Sequence, residues 1–199
     1  MKDKNDPTPK ENIWNVPNVL TLIRMALIPV YWVLFFTGRR HEALAVFLVA
    51  SLTDLADGHI ARKYKLITNF GKLMDPLADK LMVISVLLTL VIGGIAPWPI
   101  LVILLLKEGW MVVGGLLLFR HEIVVYSHWI GKAAQFVVVC GLLCCFFWEW
   151  LQEKLGFPLH TVLLWTGVGL TLCAMIHYTL WGIRLYQKQK RERQEQSAP

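Results

Sequence analysis

The chain has 199 residues, 56% of them hydrophobic and only 17% charged, and its mean hydropathy is +0.51. A soluble domain of this length carries about a quarter charged residues, so the composition excludes an ordinary soluble fold and indicates a membrane protein. The net charge is +6, but the basic residues flank apolar runs instead of forming one stripe, which argues against nucleic acid as a partner.

The leader, Met1 to Lys10, mixes charges, lacks an apolar stripe and contains Pro7 and Pro9. Residues 1–12 and 190–199 are therefore expected to be flexible, with a short interfacial helix around Ile13 and Trp14. The first apolar run is too long for a signal peptide and has no small-residue cleavage site, so it is expected to be a retained span. A spanning helix needs about 20 mostly apolar residues. Six stretches qualify: Val19–Thr37, Glu42–Ala61, Pro76–Ala96, Trp98–Phe119, Trp129–Trp150 and Pro158–Tyr186. Turn or breaker signals separate them at Gly38, Gly93-Gly94, Pro97, Pro99 and Gly156-Phe157-Pro158. The expectation is an all-α membrane protein, a single domain over 1–199 built as a six-transmembrane-helix bundle.

An even span count puts both termini on one side. The basic groups at Lys2–Lys10, Arg62–Lys72, Arg120–Lys132 and Arg184–Arg193 then fall together there. The positive-inside rule makes that side the cytoplasm, against the vote of Arg39 and Arg40. Cys140, Cys144, Cys145 and Cys173 lie in apolar runs without Cys-x-x-Cys spacing and read as packing residues. The histidines read as structural: His41, His121, His128 and His160 interfacial or loop-borne, His177 hydrogen-bonded within the last span.

The second span ends in Asp54-Leu55-Ala56-Asp57-Gly58-His59-Ile60-Ala61-Arg62, and eight residues later comes Gly71-Lys72-Leu73-Met74-Asp75-Pro76-Leu77-Ala78-Asp79. Carboxylates at a bilayer edge are costly. Asp54 and Asp57 share one helix face, as do Asp75 and Asp79. Two such helices side by side gather four carboxylates, which cannot all stay ionised without counter-charge. Hard divalent cations satisfy them, Mg²⁺ where phosphates complete the shell, and two ions would steady a diphosphate. The competing reading is a set of solvated aspartates paired with Arg62, Lys63 and Lys72. Gly58, Ala61 and Gly71 lack bulk, so a base or diphosphate can approach, and Arg62 is a fixed cation suited to phosphate. Pro76 is expected in a first helical turn.

These residues match D-x2-D-G-x2-A-R-x8-G-x3-D-x3-D at all eight fixed positions over 26 residues. The chain thus resembles the CDP-alcohol phosphatidyltransferase family, whose six-span architecture covers most of it. The resemblance implies that Asp54, Asp57, Asp75 and Asp79 hold one or two Mg²⁺ or Mn²⁺ ions and that Asp79 is the general base. It implies that Gly58 and Arg62 contact a CDP-lipid, with Thr68 a further candidate from a variable position. The opening Asn15-Val16-Pro17-Asn18-Val19-Leu20-Thr21-Leu22-Ile23-Arg24 is similar to the bacterial phosphatidylglycerophosphate synthase branch, which nominates Asn18 and Thr21 for the nucleotide. Asn18 alternatively caps the first helix, and Thr21 alternatively bonds back to its own helix.

The expected reaction moves a phosphatidyl group from CDP-diacylglycerol to sn-glycerol 3-phosphate, releasing CMP in a bacterial cytoplasmic membrane with the active site facing the cytoplasm. Lys107, Arg120 and Lys132 are the candidates for the acceptor phosphate, although Glu108 offers Lys107 a pairing partner. Where that branch usually carries Arg-Glu and Gly-Lys followed by Lys-Thr, this chain has Lys107-Glu108 and Gly131-Lys132-Ala133-Ala134-Gln135, which leaves inositol phosphate, serine or phosphatidylglycerol as alternative acceptors. A cation transporter is the rival class, but internal repeats and mid-membrane acids are missing. The family is commonly dimeric, and Gly114-Gly115 could support close helix contact between copies.

Overall fold

The computed structural model describes residues 15–64, 68–120 and 129–196, with backbone alone at 17, 54–64, 69–70, 72–73, 76, 118–120, 190 and 192–196. All described elements are helical: α1 Val16–Phe36, α2 Arg40–Tyr64, α3 Asn69–Ile92, α4 Trp98–Arg120, α5 Trp129–Phe146, α6 Trp148–Leu155 and α7 Leu159–Gln196. The chain divides into two compact units, Met1–Val86 and Leu87–Pro199, with the boundary inside α3.

In the first unit α1 packs along α2. The cap of α1 is Asn15, not Asn18: the Asn15 side chain accepts the Asn18 N–H at 3.0 Å. Pro17 fits the first turn because its missing N–H has no helical partner to lose. One stripe of α1 is buried, and it changes character along its length. Asn18, Thr21 and Arg24 are polar, then Tyr31 and Phe35 are apolar. Ala43, Phe47 and Ala50 form the buried stripe of α2. The Ser51 and Thr53 hydroxyls bond back to the Phe47 and Ala50 carbonyls at 2.9 and 2.7 Å, which lets them sit in an apolar helix. The turn between α1 and α2 uses Gly38 at φ 78°, a conformation other residues reach only with strain. Arg39 pairs with Glu42 at 3.0 Å. The helix α3 begins at Asn69, so Pro76 lies well inside it rather than in its first turn.

In the second unit α5 and α4 both pack on α7, and α6 touches α5 and α7. The crossing of α5 and α7 is close because of glycine. A Cβ on Gly141 would lie 3.1 Å from the Leu164 backbone nitrogen, and one on Gly167 would lie 3.1 Å from that of Val138. By contrast, Gly114 and Gly115 have nothing within 4 Å. The expected span Trp129–Trp150 is broken: α5 stops at Phe146, and α6 is a separate helix of 8 residues. The break falls where the apolar run gives way to Trp148-Glu149-Trp150-Leu151-Gln152-Glu153-Lys154, whose charges favour an interface over a bilayer core. Helix α6 ends on left-handed Gly156, which donates its N–H to the Gln152 carbonyl. His160 is not loop-borne; it is 5% exposed at the start of α7, against Trp148.

Four described helices, α1, α4, α5 and α7, are long and apolar enough to cross a membrane. Large apolar side chains cover their outer faces, among them Val33, Leu106, Leu116, Phe136 and Ile176. An apolar exterior on this scale is unsuited to water and suited to lipid. The fold is thus that of a helical membrane protein. The remaining long helices, α2 and α3, carry the four aspartates.

Candidate active site

Asn18 and Thr21 of α1 meet the start of α3 through side-chain hydrogen bonds. The Thr68 hydroxyl accepts the Gly71 N–H at 3.0 Å, which makes Thr68 the cap of α3. The same oxygen accepts from the Asn18 amide at 3.0 Å and donates to Asn18 Oδ1 at 3.1 Å. Both Asn18 atoms belong to one amide, so these two contacts are alternative bonds of one hydroxyl, either of which ties Thr68 to Asn18. Asn18, Thr21 and Thr68 are all buried. Where the sequence offered Thr21 a bond to its own helix, the structure places its hydroxyl on Asp75 Oδ1, to which it donates.

Asp75 and Asp79 lie one turn apart on α3, both half-buried. The backbones of Asp54, Asp57, Gly58, Ala61 and Arg62 belong to α2, and their side chains lie outside those described. Among the described residues no three potential metal ligands come together, because half of the expected set is on that stretch of α2. The described half fits a hard cation in kind. Its donors are carboxylate oxygens, and a Cβ on Gly71 would lie 3.6 Å from Asp75 Oδ2. It would also lie 2.7 Å from Asn18 Oδ1, so glycine at 71 is required by the protein's own packing.

A second polar recess lies within the Leu87–Pro199 unit. Lys107 of α4, Gly131 and Gln135 of α5, and Thr171 and Tyr178 of α7 line it. Lys107 is largely buried and paired with Glu108. Gly131 makes room for Tyr178, whose hydroxyl lies 3.1 Å from the position of a Cβ there. Lys132 is exposed and lies over the Trp129 ring, 5.7 Å from its centre. The Arg120 side chain lies outside those described. Of the three basic candidates, the structure puts Lys107 in the recess.

The family model for CDP-alcohol phosphatidyltransferases matches residues 14–173. The chain belongs to the CDP-alcohol phosphatidyltransferase family. Its relatives in that family include the CDP-diacylglycerol–glycerol-3-phosphate 3-phosphatidyltransferase of Bacillus subtilis, 33% identical over 83% of this chain and 94% of that protein. A probable phosphatidylglycerophosphate synthase of Mycobacterium tuberculosis is 33% identical over 88% of this chain and 85% of its own length. A Rickettsia typhi protein with the same name as the Bacillus one is 50% identical over 72 residues, 35% of this chain and 40% of that protein. Further polar residues to which the sequence assigned no role lie beside these candidates or line the recess. Arg24, 1% exposed, stands one helical turn beyond Thr21 on the same face, a spacing visible in the opening segment. Thr171, a lone polar residue in an apolar run, gave no such signal, and neither the segment that ends in Gln135 nor the His177-Tyr178-Thr179 cluster says that these side chains line one recess with Lys107.

Proposed function

We propose that this chain makes phosphatidylglycerophosphate and CMP from CDP-diacylglycerol and sn-glycerol 3-phosphate. The observation that carries the reading is likeness over more than four-fifths of this chain to relatives named for that reaction, with the aspartate motif unbroken. Asp54, Asp57, Asp75 and Asp79 would hold Mg²⁺ or Mn²⁺, which when bound supplies positive charge to the diphosphate and to the departing CMP. Asp79 accepts the proton of the acceptor hydroxyl, whose oxygen attacks the phosphorus next to the lipid. Arg62 balances charge on the leaving phosphate. The transfer is read as direct, because the stretch from Asp54 to Asp79 contains no Ser or Cys to serve as a covalent nucleophile. The burial of Asn18 and Thr68 against each other gives them a framing role around the CDP-lipid site.

Glycerol 3-phosphate is an anion approaching a site that already holds a diphosphate, and fixed cations offset that repulsion. The recess with Lys107, Gln135, Thr171 and Tyr178 offers one cation and several neutral donors to a phosphate. Lys132 and Arg120 are the other two candidate cations for that phosphate. A neutral acceptor would not need them.

In this reading α2 and α3 also cross the bilayer, giving six spans with both termini and the aspartates on the cytoplasmic side of a bacterial plasma membrane. Arg39 and Arg40 oppose it and are outnumbered by the Lys and Arg residues placed on the other side. The test is to offer purified protein CDP-diacylglycerol with glycerol 3-phosphate, inositol phosphate, inositol, serine or phosphatidylglycerol, and to measure CMP. Release with glycerol 3-phosphate, abolished by EDTA and restored by Mg²⁺ or Mn²⁺, is expected. Full activity in chelator would sink the metal assignment, and release only with another acceptor would sink the acceptor.

A further inference from the structure

The Thr21 hydroxyl donates to Asp75 Oδ1 across the interface of α1 and α3. Thr21 is 0% exposed, so its hydroxyl is covered by protein and turned toward a carboxylate. A residue that touched the nucleotide would need an open face, and this one has none. The second Asp75 oxygen lies on the Gly71 side, 3.6 Å from where a Cβ would be. The two oxygens of Asp75 therefore have different surroundings. One is tied to α1 by Thr21, and the other lies on the side of Gly71 at the start of α3.

From this geometry we infer that Thr21 is a positioning residue: it fixes the Asp75 carboxylate so that Oδ2 is presented for metal binding. The inference rests on the proposed metal role of Asp75. A carboxylate free to rotate loses side-chain entropy when it binds an ion, and one held by a buried hydroxyl has lost it already. Hydrogen-bond partners of metal-bound groups are worth about 10- to 100-fold in metal affinity. The bond also gives the carboxylate an orientation, because Thr21 sits on a different helix whose register Asn15 and Asn18 set through their own hydrogen bonds.

The experiment measures Mn²⁺ binding to the purified full-length protein in detergent, without substrates, from the loss of the free-ion electron paramagnetic resonance signal. Thr21→Val keeps the shape and removes the donor, Thr21→Ser keeps the donor, and Asp75→Asn removes the charge. The expected result is Mn²⁺ affinity lowered about 10- to 100-fold in Thr21→Val and close to wild type in Thr21→Ser. CMP binding in Thr21→Val, measured with Mn²⁺ raised to saturation, is expected to match wild type. Wild-type Mn²⁺ affinity in Thr21→Val beside a loss in Asp75→Asn overturns the positioning role and leaves the metal assignment intact. Wild-type affinity in Asp75→Asn overturns both. If Thr21→Val does not fold, Thr21→Ala makes the same comparison without the second methyl group.

Discussion

Where Gly71 has no side chain, Asn18 Oδ1 takes up the space, 2.7 Å from the position a Cβ would occupy. A methyl group there must displace Asn18 or α3, at a typical overpacking cost of about 1–3 kcal/mol. Gly71→Ala should therefore lower both thermal stability and CMP release. Adding Asn18→Ala should recover part of the stability loss, because the clashing atom is gone. The check is a double-mutant cycle by melting temperature, and strictly additive losses would show that Asn18 is not the obstacle. A second expectation separates roles among the carboxylates. If Asp79 is the base, Asp79→Asn should lower turnover by about 10²- to 10⁴-fold and leave CDP-lipid binding nearly unchanged. Asp54→Asn should weaken metal and CDP-lipid binding as well. Equal and mild losses from the two would contradict the division. At the acceptor, Lys107→Ala and Tyr178→Phe should raise the Michaelis constant for glycerol 3-phosphate far more than that for the CDP-lipid.

The helices themselves were largely legible as apolar stretches bounded by glycine and proline, and α1, α4 and α7 fall close to where hydropathy puts them. The aspartate motif was legible because its spacing is local to two helix ends. What hydropathy could not show is pairing. Nothing in the sequence marks Gly141 and Gly167 as the close crossing and Gly114-Gly115 as open, since all four are glycines in apolar runs. Asn15 and Asn18 are both good caps, and only the start of the helix decides between them. Thr68 occupies a variable motif position, yet it caps α3 and holds Asn18. Its value lies in a partner 50 residues away, beyond any local pattern. The break between α5 and α6 was missed because tryptophans at both ends read as parts of one apolar run. For the α5–α7 crossing, Gly141→Ala and Gly167→Ala should each lower the melting temperature, because a methyl meets backbone that cannot swing aside. Gly169, with nothing within 4 Å, is the control: Gly169→Ala should be neutral or stabilising by up to about 1 kcal/mol. Equal behaviour at the three positions would rule out glycine-dependent packing.

Across the whole molecule, the proposed topology predicts opposite behaviour at two junctions. A reporter fused after Gln196 should be active only as a cytoplasmic type, and one inserted at Gly156 only as an exported type; the reverse pattern would invert the protein in its membrane. The pairing of Asn18 with Thr68 also bears on how such a protein comes to be made. Residues emerge from the ribosome at about 5–20 per second, so α1 waits several seconds for the start of α3. Throughout that interval its Asn18–Thr21–Arg24 face has no α3 to meet, and an arginine near the middle of a lone span opposes insertion by about 2.5–3.5 kcal/mol. The first helix is apolar enough to enter lipid alone, but it does so with this face still unmatched. Biogenesis and catalysis would then draw on the same few polar atoms, and a lesion at Thr68 would surface first as protein that never accumulates.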